Sequence, residues 1–149
     1  MIDAQNQRVL VPKFPGILID NAAVTITAVD TQYLGVKYDY VEFLLILGAT
    51  DIALTVVKLT ESDDDSSYSD VSGTTFGAGT APALPTATDD NKIWAIRVDA
   101  RHRKRYLKLA VTVGDGTVGG YVVVVALLSR AKETPNTATK RGLAAELNI

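Results

Sequence analysis

At 149 residues the chain suits one domain, large enough to bury roughly 70% of its unfolded surface, and with no cysteine it holds neither a disulfide framework nor a thiolate metal site. Fifteen Lys and Arg against 17 Asp and Glu leave a formal charge of −2, which gives no global attraction to nucleic acid or to an anionic membrane. The N-terminus MIDAQNQRVL lacks the apolar core of an export signal. The most apolar window, residues 41–59, is broken by Glu42, Asp51 and Lys58, so the stretch of about 20 apolar residues that a spanning helix needs is missing. A soluble protein is expected.

In chain order, residues 1–16 carry Pro12 and Pro15 without periodicity, the pattern of an extended N-terminal arm. Residues 17–19 suggest a short strand, and 22–29 a second with Ala22, Val24, Ile26 and Ala28 on one face. Residues 31–36 are expected to be a loop feeding a central hairpin, residues 38–61. There Val41, Phe43, Leu45 and Leu47 line one face of the first strand, while Leu44 and Ile46 make the other apolar too. After the break at 48–51, Ile52, Leu54 and Val56 alternate with Ala53, Thr55 and Val57. β-Branched content and run length favour strands over a buried helix, and a strand apolar on both faces belongs inside a sandwich or barrel.

Residues 62–91 are rich in Ser, Thr, Gly, Asp, Ala and Pro, with only Tyr68, Val71, Phe76 and Leu84 as large apolar anchors. This is a long polar loop rather than a turn. Strands resume in KIWAIRVD, with Trp94, Ile96 and Val98 pointing inward. A basic bend at 101–105 leads into 106–113, where Leu107, Leu109, Val111 and Val113 face the core. The glycine-rich stretch 114–120 reads as a hairpin loop, and 121–128 as another strand buried on both faces. Six to eight strands without a long helix give an all-β fold, an antiparallel β-sandwich with the jelly roll among its candidate topologies. The domain is expected over 17–131, followed by a C-terminal arm at 132–149. That arm ends in LAAELNI, whose Leu143, Leu147 and Ile149 are apolar anchors with no place in the domain's own core and are expected to dock on a neighbour.

Few motifs carry chemistry. GDGTVG at 114–119 matches G-x-G-x-x-G after a strand, yet the YVVVV that follows is hostile to the helix that would hold a pyrophosphate. The only histidine, His102, lies between Arg101 and Arg103 without convergent partners, so neither a zinc set nor a hydrolase triad can be assembled. Five carboxylates fall within residues 61–70, including Asp63, Asp64 and Asp65. Calcium favours such loops, but the EF-hand order is missing, and no catalytic residue, cofactor or metal is assigned. Arg101, Arg103, Lys104 and Arg105 repel one another and call for anionic company: the acidic loop of the same or a neighbouring subunit, a partner protein, or nucleic acid, with protein partners favoured by the slightly acidic overall charge.

The segments LGATDIALTVVKLTESDD (47–64), TDDNKIWAIRVDARHRKRYLKL (88–109) and GDGTVGGYVVVVALLSRAKETP (114–135) resemble small structural proteins of tailed bacteriophages, encoded among head genes. The resemblance supplies no site motif. It implies a non-enzymatic virion component, a head decoration or cement protein that clamps major capsid subunits. It also implies a β-rich homotrimer located on the phage head, and in the host cytoplasm before assembly. The rival expectation is a β-sandwich adhesion or carbohydrate- and receptor-binding module that presents Tyr68 and Phe76 from the long loop.

Overall fold

The computed structural model describes residues 6–131 and 137–145. Among the described residues nine strands are found in chain order: β1 (Arg8–Lys13), β2 (Val29–Asp30), β3 (Gln32–Tyr33), β4 (Val36–Thr50), β5 (Leu54–Ser62), β6 (Ser69–Asp70), β7 (Ile93–Asp99), β8 (Tyr106–Val113) and β9 (Gly120–Ala131). They form two antiparallel sheets. In sheet A, β1 pairs with β9 and β9 with β4, while β7 and the short β3 lie on the far side of β4. Sheet B runs β2-β8-β5-β6.

Alternation builds the core. Val41, Phe43, Leu45 and Leu47 of β4 lie opposite Leu128, Ala126, Val124 and Val122 of β9, and all eight are buried. From sheet B, Val57 and Leu59 face Val111 and Leu109 across the ladder and close the other side. A period-two pattern with one face dry is what a packed sheet requires. Ile96 and Val98 of β7 are also buried, with Trp94 half-buried beside them.

Several sequence expectations change. The stretch 38–61 is not a hairpin: β4 belongs to sheet A and β5 to sheet B, so the residues between them form an arch over one end of the sandwich. The glycine-rich 114–119 is likewise an arch, from β8 in sheet B to β9 in sheet A. Both strands of each pair turn apolar residues toward one shared core, and crossing between sheets achieves this without mutual hydrogen bonding. The third change concerns the N-terminal arm. Six of its residues are strand β1 (Arg8–Lys13), paired with β9 from Arg8↔Leu128 onward, so the domain begins well before residue 17. Pro12 is tolerated because β1 is an edge strand whose register shifts between Leu10 and Lys13. The expected strand at 17–19 is reduced to a bridge from Ile19 to Gly120, and 22–28 follows the edge of β8 through the Ala23–Thr112 bridge before β2 begins. The true hairpin of this region is smaller. β3 and β4 are joined by Leu34 and Gly35, both at positive φ (50° and 81°), the backbone of a two-residue primed turn.

Candidate interaction surface

The two arches are bolted together by one carboxylate. Asp51, in the β4–β5 arch, accepts hydrogen bonds from the backbone N–H groups of Thr117 (2.9 Å), Val118 (2.8 Å) and Gly119 (2.8 Å), and Asp20 accepts from Gly116 N–H (2.8 Å). The Gly119 bond, with those of Val118 and Thr117, holds the Asp51 carboxyl below its ordinary value. In a phosphate-binding loop these same N–H groups would cradle the ligand. Here the chain's own aspartates occupy them, which removes the dinucleotide reading on geometric grounds. Gly119 has φ +94°, and a Cβ there would collide with the carbonyl oxygen of Ile19. Sequence reading passed over Asp20 and Asp51 because their partners are about 65–100 positions away.

The basic bend finds its anions within the chain. Asp99 caps the 3-10 turn Ala100–His102 by accepting from the Arg101 backbone N–H (3.1 Å), and Arg101 Nε donates to the same carboxylate (2.9 Å). Arg103 is 3.7 Å from Glu61, and Lys104 Nζ is 3.4 Å from Asp63. Arg105 donates from Nε and Nη2 to both oxygens of Asp30, each at 2.8 Å, a fork that only a guanidinium supplies. Arg103 and Lys104 thus meet the acidic loop of the same chain, while Arg101 and Arg105 pair with Asp99 and Asp30 outside it. His102 is exposed on the turn.

The remaining acidic residues are engaged locally. Asp64 accepts from Ser62 Oγ (2.7 Å), Ser67 N–H (2.8 Å) and Ser66 N–H (3.0 Å), contacts that lower its pKa. Asp65 accepts from the Tyr68 hydroxyl, and Lys108 Nζ lies 3.7 Å from the centre of the Tyr68 ring. Among the described residues no group of three or more His, Cys, Asp or Glu side chains could hold a metal ion, and no helix is long and apolar enough to cross a membrane. A cleft of about 410 Å³ is lined by Tyr40, Glu42, Arg97 and Arg130, among others. Its carboxylate, Glu42, is held 2.7 Å from Arg97 Nε.

The described part of the C-terminal arm, 137–145, lies against its own domain. Val9 N–H donates to Arg141 C=O (2.7 Å) and Arg141 Nε to Gln7 C=O (3.3 Å), with Arg141 buried. Leu143 borders an apolar groove of about 550 Å³ with Val9, Leu10, Val11, Pro12 and Phe14. Leu143 thus lines this groove together with β1 of its own chain. Leu147 and Ile149 lie outside the described residues. Arg8, in the stretch read as an arm, is 7% exposed, with its guanidinium carbon 3.5 Å from the centre of the Tyr33 ring. Burial lowers its pKa.

What stands out on the surface is the outer face of sheet A. Leu44 and Ile46 of β4 lie opposite Val125 and Val123 of β9, and Val9 opposite Leu127. At one margin Ile93 is 61% exposed, and on β9 Tyr121 also shows to solvent. The double apolarity noted in the sequence thus does not place β4 and β9 between two layers. One face makes the core, and the other is an apolar surface.

No protein-family model, curated protein or solved structure matches the chain.

Proposed function

We propose that the protein is a non-enzymatic virion structural protein, a decoration or cement protein that binds major capsid subunits on the head of a tailed bacteriophage. The observation that carries this reading is the apolar outer face of sheet A. A contiguous apolar surface on a folded domain marks an interaction site more often than a solvated face. The strand order supports it as well. We read sheet A, β1-β9-β4-β7, and sheet B, β2-β8-β5-β6, as compatible with a jelly-roll arrangement, an architecture used by viral capsid domains. Fold alone does not assign function, and the phage identity rests on the resemblance of the three quoted segments.

The adhesion reading needs aromatic side chains displayed from the long loop. Phe76 is 8% exposed and the Tyr68 ring is covered by Lys108, which leaves that loop without a sugar platform. The deciding experiment is quantitative mass spectrometry of purified particles, with labelling that locates the protein. Copies in numbers matching the capsid lattice, released together from the head surface, are expected. A few copies at a tail tip would replace this reading with the adhesin.

A further inference from the structure

Three of the four sheet edges are covered by other parts of the chain. At β1, Val9 N–H reaches Arg141 C=O and Pro12 C=O accepts from Thr27 N–H (2.9 Å). At β8, β2 pairs with Leu107 and Tyr106, and Val24 N–H donates to Val111 C=O (2.9 Å). At β5, β6 pairs at one end, and Val71, Phe76 and Pro85 bond the backbone along the rest. The fourth edge is β7, and no backbone bond from a described residue reaches its outer side.

The register tells which groups are left. Leu47 N–H donates to Lys92 C=O (3.1 Å), so in the ladder Leu45↔Trp94, Phe43↔Ile96 and Val41↔Val98 the backbone groups of residues 94, 96 and 98 turn toward β4. Those of Ile93, Ala95 and Arg97 turn away from it. Of the usual protections of an edge this run lacks proline, an inward charge and a register shift in its pairing with β4, and its exposed charge, Arg97, is paired with Glu42.

We propose that β7 pairs antiparallel with β7 of a second copy of the chain, about a two-fold axis through Ala95. This register places Ala95 opposite Ala95 of the second copy and Ile93 opposite Arg97. All three residues fall in hydrogen-bonded positions, so both outward backbone groups of each are satisfied. The small Ala95 stands at the axis, and the two Arg97 side chains, each already paired with its own Glu42, are kept apart. The apolar outer face then continues across the axis through Ile93. This pairing does not depend on the reading as a virion protein, and it specifies even-numbered assemblies where the resemblance implies a trimer.

The test is sedimentation of the full chain over a concentration series, with three variants. Ile93→Lys sets a positive charge opposite Arg97 of the second copy, and Ile93→Glu a negative one. Both remove the same apolar side chain from a 61%-exposed position, so a face-to-face contact would suffer equally from either. Strand pairing predicts that Ile93→Glu dimerises about tenfold or more tightly than Ile93→Lys. Ala95→Pro deletes an outward N–H that β4 does not use, and is expected to abolish the dimer. Trp94, the only tryptophan, lies next to the paired position, so its emission should shift to the blue with concentration in the parent chain and not in Ala95→Pro. A monomer at every concentration, a trimer of constant mass, or equal association of the two Ile93 variants overturns the proposal.

Discussion

The outer faces of the two sheets obey different rules although their inner faces obey the same one. Sheet B shows Lys58, Lys108 and Thr112 on its outer side, with Lys58 paired to Asp70 (2.7 Å) and Lys108 stacked on Tyr68. Sheet A shows Leu44, Ile46, Val123, Val125 and Leu127 at the corresponding places. Inner residues of both are chosen by the shared core. The outer residues of sheet B are chosen by water, and those of sheet A behave as though water were not their final neighbour.

Substitutions that separate the two faces of β4 test this most strongly. Phe43→Ala, at a fully buried inner position, is expected to cost about 3–5 kcal/mol in chemical denaturation. Leu44→Ser, one residue along on the outer face, should cost far less and act on association instead. Next in size is Gly119→Ala. Forcing an alanine into the left-handed region costs about 1–3 kcal/mol, and the collision with the Ile19 carbonyl adds to it. It should lower the melting temperature clearly while leaving the outer face of sheet A intact.

Acid should loosen the β4–β5 arch and the long loop before the faces. Asp51 and Asp64 are held below their ordinary value by hydrogen bonds, and Asp89 is pushed down to about 2 by its bonds from Lys92 and Thr86. A carboxyl whose folded pKa is depressed contributes stability that is present above its unfolded value of about 4. That contribution is lost as pH falls through the folded value. Denaturation midpoints should therefore drop below about pH 4, and Asp51→Asn should be less stable at neutral pH with a shallower acid dependence. The smallest effect is expected at the basic bend. Arg105→Ser should lower the melting temperature slightly and Arg103→Ser less, because Arg105 forks onto Asp30 at 2.8 Å while Arg103 stands 3.7 Å from Glu61.

The strands were largely legible because alternation is a local signal. Residues 41–47, 92–99, 106–113 and 121–128 were read from their own side chains, and each lies on or within a residue of the strand found there. Pairing was not legible. An alternating run records which side is dry and says nothing of whether its ladder partner is the next strand or one far along the chain, so two arches passed for hairpins. β1 was hidden by Pro12, whose presence argues against a strand only where both edges are paired. The basic and acidic clusters were visible as composition, but that Lys104 meets Asp63 and Arg105 meets Asp30 depends on the arrangement of β2, β5 and β8. The apolar outer face of sheet A was seen and misassigned, since exposure and burial leave the same mark on a sequence when the exposed face is destined for contact.

The arches also set an order of events in time. Phe43 of β4 is laddered to Ala126 of β9, about 80 positions later, and Val57 of β5 to Val111 of β8. Apart from the short β3–β4 turn and the β5–β6 pair, no strand can close onto its immediate successor. Folding must therefore wait for distant loop closures, which places this topology among the slow ones. During synthesis β4 leaves the ribosome with both faces apolar and remains without its central partner until residues 120–131 have followed. A chain interrupted before β9 would carry β4 without its longest ladder partner, so truncated products should aggregate or be held by chaperones while the finished chain is free.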